Sequence, residues 1–188
     1  DGFNAILRRP LSICSIDRGN NIVTIVFREK GKGTGYLAGK KGGDVLDLIG
    51  PLGNGFDLSG DYKNIAVVGG GIGIFPLLFL LQQKPYARKT AYIGFESKTR
   101  IVLEQDFLQY SDNLLLSTDD GTKGYKGFIT DLLERGIREE RIKGKKYDII
   151  YTCGPVSMMK KVSELAFEAG IKCQLSLEQR MGCGIGAC

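Results

Sequence analysis

The sequence predicts a β + α/β protein. It divides into a strand-only segment over residues 1–60, a parallel sheet with helices over 61–177, and a short tail over 178–188. Three observations predict this. No helix of useful length fits before Asp61. After Asp61, apolar runs of strand length alternate with helix-length runs, the pattern of a parallel sheet covered on both faces. The last stretch, EQRMGCGIGAC, follows neither period.

The totals narrow the chemistry. The 188 residues suffice for one large domain or two small ones. The net charge of +5 is spread along the chain, so it calls for no nucleic-acid surface. It supports at most a mild attraction for an anionic cofactor or an acidic partner. The chain has no histidine, which excludes Ser-His-Asp and Cys-His catalysis and every histidine-ligated zinc site. Five cysteines, an odd number without a framework, point to a reducing cytoplasm rather than a secreted disulfide scaffold. Asp1 opens inside an element already in progress, so the chain is expected to be part of a longer one.

Taken in order, NIVTIVFR (residues 21–28) is β-branched and bounded by turn residues, a strand. VLDLIG (45–50) is a second, and GPLGNGF is turn punctuation. Residues 65–81 are nearly all apolar, but Gly69, Gly70, Gly71, Gly73 and Pro76 interrupt them. They read as a buried strand, a glycine turn and a buried helix from Pro76, not as a membrane span. Strands follow at 90–95, 113–118, 148–152 and 171–177, with helices at 102–108, 129–135 and 156–169. A ligand of such a sheet lies at the carboxyl ends of its strands, near the switch point.

Four motifs carry chemistry. GGGIGIFP (69–76) follows a strand and opens a helix, where bare backbone and a helix N-terminus suit a pyrophosphate. Pro76 stands where the third glycine of the dinucleotide fingerprint would fall, and a tight turn without ligand is the plain alternative. RRPLSI (8–13) combines a cation able to hold a diphosphate with a rigid proline and a hydroxyl donor; taken alone, an edge strand with a surface arginine explains it better. TCGP (152–155) ends a parallel strand, and its cysteine is either site or packing. Cys183-x4-Cys188 has the spacing of the first two ligands of a plant-type [2Fe-2S] site, or is a loose thiol pair.

In this order, with GKGT (31–34), GDVLDLIGPLGNGF and TDDG (118–121) between them, the motifs resemble the ferredoxin-reductase superfamily. Within it the chain resembles the electron-transfer subunits of NAD-dependent (class 1B) dihydroorotate dehydrogenases, over essentially its whole length. The resemblance implies a partial antiparallel FAD-binding barrel (1–60), an NAD-binding domain (61–177) and a truncated C-terminal iron–sulfur segment (178–188). It implies that Arg9, Pro10, Leu11 and Ser12 meet FAD, with Arg9 on the pyrophosphate and Ser12 near the flavin N5. Val26, Phe27 and Arg28 match a second FAD-contacting strand, and the backbone of Gly33 and Thr34 approaches the FAD phosphates. Gly71 and Gly73 face the NAD pyrophosphate, while Cys153, Gly154 and Pro155 border the nicotinamide. Cys183 and Cys188 match the first two cluster ligands; the third and fourth are not in the chain, so it is expected not to hold a complete cluster.

The implied function is electron transfer from an FMN-containing dihydroorotate-oxidising subunit, through [2Fe-2S] and FAD, to NAD⁺. The assembly would be a cytoplasmic hetero-oligomer, a heterotetramer, with no nucleic-acid or membrane partner. Residues 181–188 are expected at the partner interface. Two other readings stand beside it: a related subunit serving ferredoxin, sulfide or a hydrogenase, and a non-enzymatic redox-sensing module built on the tail thiols. Glu96 follows the second strand of the sheet, where a carboxylate would repel a 2′-phosphate, but Ser97, Lys98 and Arg100 pull the other way.

Overall fold

A computed structural model describes residues 7–83, 87–178 and 181–187. The first element among the described residues is an antiparallel hairpin, β1 (Ile13–Asp17) and β2 (Ile22–Ile25). The Asp17 carboxylate closes its turn by accepting from the amides of Gly19 and Asn20 and from the Asn20 side chain at 2.8–3.1 Å. Those bonds favour the ionised form and hold Asp17 below its ordinary pKa. A short helix, α1 (Lys32–Ala38), follows. Sequence reasoning expects no helix here, because α1 is only two turns and contains two glycines. It forms because the Thr34 hydroxyl accepts from the Lys30 and Gly31 amides and satisfies the first turn. Residues 45–50, expected as a strand, form none. Among the described residues the antiparallel part is this two-stranded sheet.

The second part matches its expected alternation closely. It runs β3 (Asn64–Gly70), α2 (Ile74–Gln83), β4 (Arg88–Phe95), α3 (Glu104–Tyr110), β5 (Asn113–Thr118), β6 (Tyr125–Lys126), α4 (Ile129–Ile142), β7 (Ile149–Cys153), α5 (Val156–Glu168) and β8 (Lys172–Ser176). The sheet is parallel throughout, in the order β6-β5-β4-β3-β7-β8. The two-residue β6 has too little periodicity to be read from sequence.

Alternation along the strands builds two cores. Ile65, Val67, Ala91, Ile93, Ile149 and Tyr151 face α2 and α3. Ala66, Val68, Tyr92 and Ile150 face α4 and α5. α2 is apolar on nearly every side because it is sandwiched: the sheet covers one face and the β1–β2 hairpin packs on another, with Cys14 buried between. α5 has the opposite character. It buries Met159, Val162, Leu165 and Ala166, half-buries Met158 and Ser163, and leaves its other positions to solvent. No helix among the described residues is long and apolar enough to cross a membrane.

Candidate functional site

The strand order reverses between β3 and β7, because β4, β5 and β6 extend one way and β8 the other. That switch point is where an open α/β sheet opens a crevice. β3 and β7 end there in register, with Gly69 opposite Cys153. The Thr152 hydroxyl, fully buried, donates to the Val68 carbonyl at 2.9 Å and ties the two strand ends together.

The glycines beyond β3 are fixed by space as much as by conformation. A Cβ on Gly73 would overlap the Cys153 carbonyl and lie 2.6 Å from the Gly154 Cα. One on Gly70 would lie 2.9 Å from both the Met158 sulfur and Pro155 Cδ. Gly71 has a φ of 55°, a left-handed conformation that glycine adopts without strain. Two bare backbone turns therefore touch, and α2 starts directly behind them with no acidic residue in its first turn. Such a surface can take a phosphate group against backbone N–H donors. Five residues from two distant motifs, Gly71, Gly73, Cys153, Gly154 and Pro155, are thus gathered in one place.

Cys153 is 6% exposed. Burial pushes its thiol up, outweighing a hydrogen bond from Ser176 that lowers it. It is a neutral, compact side chain beside the crevice, not an activated nucleophile.

A second cluster lies in the first sixty residues. Arg9 crosses directly over Gly33: a Cβ on Gly33 would lie 2.9 Å from Arg9 Nε and 3.0 Å from its Cγ. The Arg9 guanidinium donates to the Leu7 carbonyl at 2.7 Å and remains exposed. Gly33 is buried beneath it, so the first and third expected flavin pieces meet. Pro10, Leu11 and Ser12 lead into β1, with Ser12 exposed. Val26, Phe27 and Arg28 lie just past the end of β2 and are not strand, and Val26 packs on the core beside α2. The Thr34 hydroxyl is occupied with the start of α1, which leaves its backbone as the available group.

The two clusters are held by contacts the sequence does not announce. The Gln174 side chain accepts from the Asp57 amide at 2.9 Å and donates to the Asp57 carbonyl at 3.2 Å. Tyr151 donates to the same carbonyl at 3.2 Å, and its ring meets Phe56 edge-on at 5.3 Å. Burial pushes the Tyr151 phenol up to about 12, so it stays a donor. These partners stand 94 and 117 residues apart, beyond any local signal.

In the tail, Cys183 is half-buried and in no disulfide. Gly184 (φ 78°) sits beside Leu52: a Cβ there would lie 3.3 Å from Leu52 Cδ1. The tail therefore rests on the loop before the sheet. Cys188 lies outside the described residues, and among those described no group of three His, Cys, Asp or Glu side chains could hold a metal ion. Glu96 lies at the carboxyl end of β4, with its carboxylate 3.9 Å from Arg100.

No family model matches the chain. The dihydroorotate dehydrogenase B (NAD(+)) electron transfer subunit of Desulforamulus reducens is 40% identical over 185 residues, covering 97% of this chain and 69% of that protein. The subunit of the same name from Fusobacterium nucleatum is 42% identical over 192 residues, covering 100% of this chain and 71% of that one. A solved NADH-dependent reduced ferredoxin-NADP oxidoreductase superposes with a TM-score of 0.84 at 32% identity. The match covers 97% of this chain and 64% of that one.

Proposed function

Because the chain belongs to the family of dihydroorotate dehydrogenase B (NAD(+)) electron transfer subunits, we propose that it carries electrons from a dihydroorotate-oxidising partner to NAD⁺. The observation that carries this reading is identity of about 40% along nearly the whole chain. The partner is an FMN-containing catalytic subunit, in a cytoplasmic heterotetramer.

The switch point fits a pyridine nucleotide, since the space beside Gly71 is open and Gly73 packs directly against the Cys153–Gly154 backbone. Gly71 and Gly73 would present N–H groups to the pyrophosphate. Cys153, Gly154 and Pro155 would border the nicotinamide. The neutral thiol of Cys153 adds no charge beside a transferring hydride. Met158 and Pro155 cover Gly70.

The Arg9–Gly33 pair fits a flavin diphosphate: an exposed guanidinium offers paired donors over a position without a side chain. Pro10, Leu11, Ser12, Val26, Phe27, Arg28 and the Thr34 backbone would complete that site. Bound FAD supplies the exchange between hydride and single-electron chemistry. Cys183 and Cys188 would be two ligands of a [2Fe-2S] cluster. The described residues do not complete its ligand set, so no step is assigned to it. No proton transfer by a side chain is required, in keeping with a chain that has no histidine.

The similarity to the ferredoxin-NADP oxidoreductase favours one second reading, a related subunit that serves ferredoxin. Activity with the two partners separates them. The purified chain, loaded with FAD, is expected to lose its flavin absorption band on adding NADH. A chain that takes up no flavin would sink the whole reading. Cys183→Ser is expected to keep NADH oxidation by artificial dyes and to lose dihydroorotate-coupled reduction of NAD⁺. Full coupled activity in that variant would remove the cluster role from Cys183.

A further inference from the structure

We propose that the cleft at the amino ends of β3, β4 and β7 binds a small phosphorylated metabolite. This is the end of the sheet opposite the switch point, and none of its residues belongs to the nucleotide or flavin sites. The cleft has a volume of about 330 Å³ and is lined by Lys63, Asn64, Arg88, Lys145, Lys146 and Asp148. That is more than a bare phosphate fills and within the range of small-ligand sites.

Its charge is positive once the internal pairs are removed. The Asp148 carboxylate accepts from the backbone amides of Lys63 and Asn64, both at 2.8 Å. The Glu140 carboxylate, behind the cleft, accepts from both ends of the Arg88 guanidinium at 2.8 and 3.2 Å. Lys63 pairs with Asp61 at 2.6 Å. Lys145 and Lys146 remain: neither ammonium has a carboxylate partner among the described residues. Asp148 keeps its charge, since neutral amides bind it without cancelling it, but two adjacent lysines on the rim outweigh it and attract an anion.

A second observation points to a ligand that also donates a hydrogen bond. Asn64 Oδ1 is buried and has no donor. Its amide cannot simply be reversed, because Nδ2 donates to the Lys146 carbonyl at 2.8 Å and to Glu140 Oε2 at 3.3 Å. Turning it would set an oxygen against two acceptors. Buried acceptors are normally satisfied, and this one gains a partner when the side chains around it shift to admit a ligand hydroxyl or N–H. A phosphate monoester carrying such a group satisfies both demands: phosphate on Lys145 and Lys146, donor on Asn64.

Calorimetric titration of the full chain tests this, with FAD and NAD⁺ present so that their sites cannot capture the probe. Ribose 5-phosphate is the probe, with inorganic phosphate and ribose as partial ligands, all at one ionic strength. Ribose 5-phosphate is expected to bind saturably, more tightly than inorganic phosphate, and ribose not at all. The double variant Lys145→Ala, Lys146→Ala changes only exposed side chains. It is expected to weaken ribose 5-phosphate about tenfold, the loss of two charge-assisted contacts. Lys160→Ala, Lys161→Ala, a pair of exposed lysines on α5, is expected to leave binding unchanged. The proposal fails if ribose 5-phosphate binds no better than ribose, if the first variant binds like the parent, or if the second loses as much as the first.

Discussion

Leu77 and Val45 are both aliphatic, yet Leu77 is 0% exposed in α2 and Val45 is 88% exposed in the segment before the sheet. The contrast extends to their surroundings. Residues 65–68 of β3 are buried on both faces of the sheet, whereas Leu46, Leu48, Ile49 and Leu52 are all exposed. The sheet domain is ordered by its two cores. Residues 7–60 are ordered by local hydrogen bonds, such as the Asp17 turn and the Thr34 bonds, and by docking onto α2 and β7. Burial and function are therefore divided differently in the two parts. In the sheet, side chains make the core and glycine-rich backbone makes the candidate site. In the first segment, candidate site residues such as Arg9 and Ser12 stand at the surface.

The sharpest way to break this contrast is to cut into the sheet core. Leu77→Ala removes a side chain that is fully buried and sits against Gly69 at the end of β3. A loss of about 2–5 kcal/mol is expected in denaturant unfolding. A loss below about 1 kcal/mol would mean that α2 is not the shared wall of the two parts.

This division also explains what could be read from sequence. In the sheet domain, period-2 and period-3.6 patterns are produced by burial itself, so residues 113–118 were predicted at their observed ends. That the glycine turn and TCGP lie together is legible, because both follow strands of one parallel sheet. In the first segment no core imposes a period. α1 leaves no signal, because it rests on one threonine hydroxyl, and residues 45–50 resemble a strand in composition alone. The Gln174–Asp57 bonds, the Leu52–Gly184 contact and the basic cleft join residues far apart in the chain, and no local pattern marks them.

A smaller effect tests how the far end of the sheet is held. Burial works to raise the Glu140 carboxyl, but the hydrogen bonds and charge of Arg88, with a further bond from Asn64, outweigh it and leave its pKa lowered. A carboxyl with a lowered folded pKa contributes stability above its unfolded value, about 4.3, and loses it as the pH falls through the folded one. Glu140→Gln is therefore expected to lower the thermal midpoint near neutral pH and to flatten its fall below about pH 4. An unchanged acid limb in the variant would show that other carboxylates govern it. Among the described residues the first segment offers no such buried acid, since Asp17, Glu29, Asp44, Asp47 and Asp57 all lie at its surface.

The smallest effect is expected where the contrast began. Val45→Ser and Leu48→Ser replace side chains that are 88% and 75% exposed. Nothing is uncovered by the change, so unfolding free energy should move by no more than about 0.5 kcal/mol. The informative comparison is with coupled electron transfer in the assembled complex. These residues share a loop with Leu52, on which the tail carrying Cys183 rests. If that surface meets the partner, both substitutions lower the coupled rate while dye reduction by NADH is unchanged. If instead they unfold the chain by more than about 1.5 kcal/mol, their side chains have a burial partner and the first segment has a core of its own.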